Sequence, residues 1–216
     1  MQVAIIHTVG RVKDAIEQYW NNGYANKDAQ VSVTHFLFEN FLTDLTSGQY
    51  TFSEVFQKFE KCIFGLINQG FTVIIVSCTS LSQMADMLKS KYNFPVLRID
   101  APVIEHIACD FQRIAIIYSN KAAKESSFNL LSVMARRPID VTFIDFTAIG
   151  DGLNSATALE KTEIFEQLRS LILNAEVVLL SQISIYLILK QYGFNSDVLM
   201  LDSIKLGMEQ IFDYYH

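Results

Sequence analysis

One feature constrains the fold of this chain more than any other: the same pattern of segments occurs twice. Residues 73–83 read VIIVSCTSLSQ and residues 177–187 read VVLLSQISIYL. When the two runs are aligned, Cys78 falls on Gln182. The same apolar run therefore ends once in a thiol and once in an amide, and we interpret the pattern as a duplicated βα unit.

Two further pairs of segments support the duplication. Residues 93–100 (NFPVLRID) resemble residues 195–202 (NSDVLMLD), at nearly the offset that relates Cys78 to Gln182. The run VSVTHFLFENF at 31–41 also pairs with IDVTFIDFTAI at 139–149.

Between the repeated runs, short segments rich in β-branched residues alternate with longer amphipathic segments. The strand candidates are 2–7, 31–37, 72–77, 96–99, 113–118, 139–145, 176–181 and 197–201. The helical patterns lie near 12–21, 52–69, 81–91, 122–135, 159–174, 183–192 and 203–214. Apolar strands separated by helices are typical of parallel sheets that are covered on both faces.

The predicted fold is therefore α/β, with two pseudo-symmetric lobes and a cleft between them. Each lobe is expected to hold a mostly four-stranded parallel sheet flanked by helices. The first lobe is predicted over 1–100 and the second over 101–202, and a C-terminal helix over 203–216 is expected to pack back on the first lobe.

Composition narrows the class of protein. The net charge is −6 and no basic stripe occurs, so a nucleic-acid partner is not expected. No apolar stretch approaches the roughly 20 residues of a membrane span, and the N-terminus is too short in apolar residues for a signal peptide. The three cysteines form no CxxC motif, which favours a reducing cytoplasm. A homodimer is compatible with the aromatic-rich composition.

The predicted ligand site lies at the carboxyl ends of the strands, where ligands of such sheets bind. We therefore searched the residues that directly follow each strand for chemistry-bearing side chains. In the first half these are His7, Thr8, Glu39, Asn40, Cys78, Thr79, Ser80 and Asp100. In the second half they are Ser119, Asn120, Asp145, Gln182, Ser184 and Asp202.

Cys78 is the strongest candidate for a catalytic residue. It stands where a buried strand meets a helix, whose first-turn amides can stabilise a thiolate. The alternative is a buried core cysteine. A strongly lowered pKa at Cys78 would favour an enzyme, and we expect this thiol to react faster than Cys62 or Cys109, which lie in helical patterns.

His7 ends the first strand and is either an acid/base that faces the ligand or a hydrogen-bonded structural histidine. His35 lies inside a strand pattern and is interpreted as structural, while His106 and His216 are given no role. Glu39 is either an acid that supports the site through another residue or a solvated loop carboxylate. No ligand spacing for a metal and no Gly-rich phosphate loop occurs, so neither a metal nor another cofactor is predicted.

These residues carry a resemblance to a known family. Nearly the full chain resembles the aspartate/glutamate/hydantoin racemase superfamily, in which two pseudo-symmetric lobes each place a cysteine after the third strand. The match rests on SCTS at 77–80, FPVLRIDAP at 94–102 and IAIIYSNKAAKESS at 114–127. It is closer to a branch with an I-H-T-like opening, here IIHTV at 5–9, and a Q-A-S-like second motif, here SQIS at 181–184.

The resemblance implies catalysis without a cofactor next to a carboxylate. Cys78 would be catalytic, with His7 beside it. Substrate-binding roles would fall to Thr8, Thr79, Ser80, Ser119, Asn120, Gln182 and Ser184. Ser119 holds the place where the family commonly has a threonine that binds the substrate carboxylate.

Gln182 departs from the family pattern at the second cysteine position. An amide can hydrogen-bond but cannot exchange a proton near neutral pH, so a racemase with two thiols is not expected. Two hypotheses stay open: a cofactor-independent isomerase or decarboxylase-like lyase that uses Cys78, and a non-catalytic protein that binds or senses a small carboxylate. In either case Cys78 and Gln182 are expected to face one cleft.

Overall fold

The computed structural model describes residues 1–24 and 30–214, which divide into two compact units. The first unit comprises residues 1–100 together with the C-terminal segment from Ile204. The second comprises residues 101–203. The last two positions of the predicted C-terminal helix, residues 215 and 216, lie outside the described residues.

The first unit holds a four-stranded sheet with strand order β2-β1-β3-β4, and every neighbouring pair of strands is parallel. The strands are β1 (Gln2–His7), β2 (Ser32–Leu37), β3 (Val73–Val76) and β4 (Val96–Arg98). The helices are α1 (Gly10–Gly23), α2 (Asn40–Thr46), α3 (Phe52–Asn68), α4 (Ser82–Tyr92) and, from the end of the chain, α10 (Ile204–Asp213).

The second unit repeats this topology with strand order β6-β5-β7-β8, again parallel throughout. Its strands are β5 (Arg113–Tyr118), β6 (Asp140–Asp145), β7 (Val177–Leu180) and β8 (Leu199–Leu201). Its helices are α5 (Ala101–Asp110), α6 (Lys121–Met134), α7 (Thr147–Ser155), α8 (Ala158–Ile172) and α9 (Ile183–Gln191). The prediction of two lobes with four-stranded parallel sheets is confirmed.

Three helices lie outside the helical patterns of the sequence, namely α2, α5 and α7, and two of them, α2 and α7, occupy equivalent places. α2 follows β2 and α7 follows β6, each immediately after the second strand of its unit. Both are short, and α2 has no fully buried residue. A helix of two or three turns with a weak apolar face lacks the periodicity by which longer helices are recognised.

The two central strands of each sheet, β1 and β3 in the first unit and β5 and β7 in the second, are buried on both faces. In the first unit Ala4, Ile6, Ile74 and Val76 pack with α3 and α4 residues in one apolar cluster. Because side chains alternate along a strand, Val3, Ile5 and His7 point to the opposite face of β1. The register aligns Ile6 with Val76. The residues that follow them, His7 and Ser77, therefore lie side by side on the opposite face of the sheet.

Within residues 1–24 and 30–214, no helix is both long and apolar enough to cross a membrane.

Candidate functional site

Cys78 lies at the carboxyl end of β3, where the chain turns into a helix. It is the N-cap residue of a short 3₁₀ turn over Thr79–Leu81, which leads directly into α4. The residue is half-buried and packs against the apolar cluster beneath the sheet. Its sulfur interacts with the hydroxyls of Thr8 and Ser80 and with the backbone N–H groups of Ser80 and Leu81.

Two opposing effects act on the pKa of Cys78. Burial raises the pKa of the thiol, because a thiolate is poorly solvated among apolar side chains. The hydrogen bonds from Thr8, Leu81 and Ser80 lower the pKa, but burial prevails and the pKa lies above that of an ordinary thiol. The strongly lowered pKa that would favour an enzyme is therefore not found at Cys78, which this structure holds as a protonated thiol near neutral pH.

The polar residues around Cys78 come from two neighbouring strand ends. Thr8 follows β1, while Thr79 and Ser80 form the 3₁₀ turn after β3. All three are buried. The structure therefore brings these predicted site residues together with Cys78 in one cluster of hydroxyl groups.

His7 is fully buried, and both of its ring nitrogens have partners. Nδ1 lies 2.9 Å from Ser77 Oγ, and Nε2 lies 2.9 Å from His35 Nδ1. Burial, His35 and Lys13 lower the pKa of His7 to about 3, so the ring is neutral across the physiological range. His7 pairs with Ser77 on one face of the sheet, whereas Cys78 packs on the opposite face with Ile6 and Val76.

This arrangement changes the interpretation of His7. A neutral histidine with both nitrogens occupied carries no charge for an anionic substrate and has no free nitrogen for proton exchange. Its contacts instead hold Ser77, the residue that precedes Cys78. The sequence reasoning overlooked Ser77 and treated His35 as separate from His7, because neither pairing is visible from spacing along the chain.

Asp100, which the sequence places at the end of the fourth strand, belongs to a buried ion pair. Arg98 Nε and Nη2 donate to the two carboxylate oxygens of Asp100 at 2.7 and 2.9 Å, and Ser82 Oγ donates to the same carboxylate at 3.2 Å. Burial would lower the pKa of Arg98, but Asp100 and Asp86 outweigh it and raise the pKa. The network fixes β4 against α4 and leaves Asp100 no free oxygen for a direct role.

In the second unit, Gln182 is joined to Ser119. The Ser119 backbone N–H and its hydroxyl both donate to Gln182 Oε1, at 2.8 and 2.9 Å. The two residues follow β5 and β7, which are neighbours in the sheet. Both are half-buried.

Asn120 and Ser184 complete the predicted residues of the second unit. Asn120 is the N-cap of α6, and its Oδ1 accepts from the Ala123 N–H at 2.8 Å. Ser184 is half-buried in the first turn of α9. The side-chain oxygen of Asn120 therefore has a structural role, because it caps the N-terminus of α6.

Glu39 lies beside a pocket of about 500 Å³ at the carboxyl end of β2. Leu37, Phe38 and Phe41 form its apolar wall, and Asn40 lies beside Glu39. The remaining lining is an ion pair in which Lys58 Nζ donates to Asp44 at 2.8 Å. Glu39 itself is exposed, as expected of a solvated loop carboxylate.

The other two cysteines lie in helices, as expected, and differ in burial. All three are free thiols. Cys62 is half-buried in α3, and burial raises its pKa to about 11. Cys109 is exposed near the end of α5. Within the described ranges, no cluster of three His, Cys, Asp or Glu side chains could hold a metal ion.

Comparisons with known proteins identify the fold. No family model matches the chain, and no curated protein matches it in sequence. Solved structures do match. A glutamate racemase from Francisella tularensis in complex with D-glutamate superposes with a TM-score of 0.70 at 15% identity, covering 99% of this chain and 79% of that one.

Two other solved structures extend the comparison. An aspartate racemase from Picrophilus torridus matches with a TM-score of 0.66 at 15% identity, covering 98% of this chain and 93% of that one. A Gly74Cys mutant of arylmalonate decarboxylase matches with a TM-score of 0.56 at 13% identity, over 99% of this chain and 92% of that one. The chain has the fold of the aspartate/glutamate racemase superfamily, as its sequence predicted.

Proposed function

We propose that this protein is a cofactor-independent enzyme that acts at a carbon atom next to a carboxylate, with an isomerase or lyase outcome. The observation that carries the proposal is Cys78. It is a protonated thiol at the carboxyl end of a parallel strand, with hydroxyl and N–H groups converging on its sulfur. The racemase fold and the decarboxylase among the structural matches support a reaction of this kind.

The protonated state of Cys78 favours proton delivery over proton removal. In a malonate-type substrate, the bond from the reacting carbon to one carboxylate breaks, carbon dioxide leaves, and the electron pair stays on an enolate. Cys78 then donates its S–H proton to the carbon, and the resulting thiolate is stabilised by the hydrogen bonds of Thr8, Ser80 and Leu81. A proton from water restores the thiol, so the net reaction replaces a carboxylate by hydrogen.

The neighbouring residues would support this step without sharing the proton. Thr8, Thr79 and Ser80 supply donors for the thiolate and for a substrate oxygen. His7 and His35 act as positioning residues, because they hold Ser77 and thereby the loop that carries Cys78. Gln182 replaces the second proton carrier with a hydrogen-bonding group, which argues against inversion by two bases.

Two accompanying assignments belong to the same proposal. A cytoplasmic location agrees with three cysteines held as free thiols. A homodimer is also proposed: the second unit carries exposed apolar side chains on α6 and α8, among them Val133 and Leu159, which an interface would cover.

The test is decarboxylation of a prochiral malonate in deuterated water. We expect methyl(phenyl)malonate to release carbon dioxide and to give a product with deuterium at the reacting carbon and one predominant configuration, since one thiol protonates one face. Cys78→Ser should lose at least about 100-fold in rate, the range of a general acid, whereas Cys62→Ser and Cys109→Ser should retain it.

Two outcomes would contradict the proposal. One is turnover that survives in Cys78→Ser. The other is the absence of both decarboxylation and α-proton exchange across malonates, aspartate, glutamate and hydantoins, which would leave the protein as a carboxylate-binding module.

A further inference from the structure

The starting observation is the pairing of Ser119 with Gln182. A backbone N–H can only donate a hydrogen bond, so the Gln182 atom that faces it at 2.8 Å must be the amide oxygen. The Ser119 hydroxyl reaches the same oxygen at 2.9 Å. The orientation of the Gln182 amide is therefore fixed by chemistry and leaves no choice between its two ends.

The fixed oxygen determines what the other end of the amide offers. Nε2 carries two N–H donors and no acceptor. It has no partner among residues 1–24 and 30–214, and it is not a buried unsatisfied atom. Although Gln182 is the N-cap residue of α9, its side chain makes no capping hydrogen bond to that helix. The amide oxygen thus joins the loops that follow β5 and β7, whereas the amide nitrogen is free for a ligand.

We infer that Ser119 and Gln182 act as one unit. Ser119 fixes the orientation of the Gln182 amide, so that this amide can offer a substrate only its two N–H donors. This inference rests on the proposed function and specifies its substrate class. The substrate group beside Gln182 must be an acceptor, namely a carboxylate or a carbonyl oxygen, and an α-ammonium group is disfavoured there. The ligands preferred beside Gln182 are thus acids that present a carboxylate or carbonyl oxygen to its N–H₂ group.

The same geometry reassigns Ser119. The resemblance to the racemase family places a carboxylate-binding residue at this position, but both donors of Ser119 are already used by Gln182. Ser119 is a positioning residue, and the contact with the substrate passes to Gln182.

The variant that separates these roles is Gln182→Glu. Its first carboxylate oxygen can still accept from Ser119, while its second oxygen replaces the N–H₂ group and repels an acceptor. Gln191→Glu is the matched control, since it adds the same charge at the far end of α9, where Gln191 is exposed.

The experiment measures binding of malonate and phenylmalonate by calorimetry, with turnover recorded separately. We expect Gln182→Glu to weaken malonate binding by about 10- to 100-fold, as for loss of a hydrogen bond to a charged group. Ser119→Ala should weaken it by only about 2- to 10-fold, because the backbone N–H still holds the oxygen. Gln191→Glu should stay within about twofold of the wild type.

A spectroscopic readout accompanies the binding data. The side-chain N–H₂ resonances of Gln182, assigned by their loss in Gln182→Glu, should shift on malonate titration in the wild type and in Cys78→Ser. Unshifted resonances, unchanged affinity in Gln182→Glu, or a wild type that binds neither probe at millimolar concentration would overturn the inference. If both probes bind as expected but no variant turns them over, the proposed reaction fails while the recognition by Gln182 stands.

Discussion

At the residue scale, the chemistry of each candidate side chain is decided by the atoms that its neighbours leave free. Both nitrogens of His7 are occupied, so this residue can orient its neighbours but cannot exchange a proton with a ligand. The oxygen of Gln182 is occupied and its nitrogen is free, so it can only donate. The Cys78 sulfur keeps its proton, because burial outweighs the hydrogen bonds that reach it.

Thiol reactivity provides the first prediction. In place of the sequence-based expectation that Cys78 reacts fastest, we expect iodoacetamide to label Cys109 fastest, because this residue is exposed, whereas the raised pKa values of Cys78 and Cys62 reduce their thiolate fractions. Mass spectrometry of time-quenched digests gives the three rates. Preferential labelling of Cys78 would show that its thiolate is stabilised more strongly than the structure indicates, and Cys109→Ser serves as the control for peptide assignment.

The His7 pKa provides a second prediction, concerning stability and pH. The unfolded chain binds a proton at about pH 6.5, while folded His7 binds one only at about 3, so stability is full above about pH 6.5 and falls as the pH drops. Between about pH 7.5 and about pH 5, His7 alone should remove about 2 kcal/mol from the free energy of unfolding. Urea denaturation at the two pH values measures this loss.

The variant His7→Asn should reduce that pH dependence, since asparagine does not titrate. His106→Gln is the matched control, because His106 is exposed on α5, where it contacts Asp110 at 2.9 Å and the ring of Phe111. If His7→Asn keeps the full wild-type slope, His7 is not the group responsible.

At the scale of elements, the two units use the same local devices at equivalent places. α3 begins with a capping box formed by Thr51 and Glu54, and α8 begins with one formed by Thr157 and Glu160. In each box the threonine hydroxyl accepts from the glutamate N–H, and the glutamate carboxylate accepts from the threonine N–H. Such local signals fix where the longer helices begin.

The packing of α10 on the first unit gives a third prediction. A Cβ atom added at Gly207 would overlap the backbone and side chain of Ile99, so this helix can approach β4 only with glycine here. Gly207→Ala should destabilise the protein by about 1–3 kcal/mol, as overpacking does. The measurement is the midpoint of urea unfolding.

Gly65→Ala is the matched control for Gly207→Ala. Gly65 lies inside α3 with open space where a Cβ would be, so alanine should stabilise the helix by about 0.5–1 kcal/mol. Equal effects of the two substitutions would mean that α10 does not pack closely on Ile99 in solution.

At the scale of the whole molecule, one topology is used twice with different chemistry at corresponding strand ends. β3 and β7 occupy the same place in the strand orders β2-β1-β3-β4 and β6-β5-β7-β8. The first is followed by a thiol and the second by an amide. A reaction that needs a proton carrier on each face of its substrate is therefore not expected.

The fourth prediction is that the wild type does not racemise aspartate, glutamate or hydantoins at an enzymatic rate. The assay follows α-proton exchange in deuterated water by NMR, together with the chirality of the recovered substrate. Exchange with retention would agree with one thiol acting from one side. Exchange with inversion would require a second base and would contradict the role given to Gln182.

Gln182→Cys extends the same prediction. If the two strand ends serve one substrate, the added thiol should create or increase inversion, with Gln191→Cys as the control for an additional thiol elsewhere on α9. No inversion with any small amino or hydroxy acid would indicate that the fold serves a different kind of ligand.

The fifth prediction tests the sequence-based expectation that Cys78 and Gln182 face one cleft. In a chain with Cys62→Ser, Cys109→Ser and Gln182→Cys, about one equivalent of a short bismaleimide should link the two remaining thiols within one chain. Peptide mapping detects the link. Replacement of Gln182→Cys by Gln191→Cys should abolish it, and equal linking of both pairs would contradict the expectation.

The sequence by itself determined the class of fold and the positions of the strands. Runs such as VIIV and VVLL, repeated with their flanking helices, predict buried parallel strands because period and composition are local properties. The helices α2 and α7 lie outside the predicted helical patterns because, with 7 and 9 residues, they are too short for a clear helical period in the sequence. The position of α2 depends on β2, which it follows, and the position of α7 depends on β6.

Only the tertiary structure decided the chemistry of the site. His7 and Ser77 are 70 residues apart, and Ser119 and Gln182 are 63 residues apart, yet each pair is in hydrogen-bond contact. A pKa depends on burial and on such distant partners, so the neutral His7, the protonated Cys78 and the oriented Gln182 amide could not be read from spacing. Sequence periodicity records which face of an element is apolar, whereas the free atoms of a polar side chain are determined by neighbours that only the folded sheet brings together.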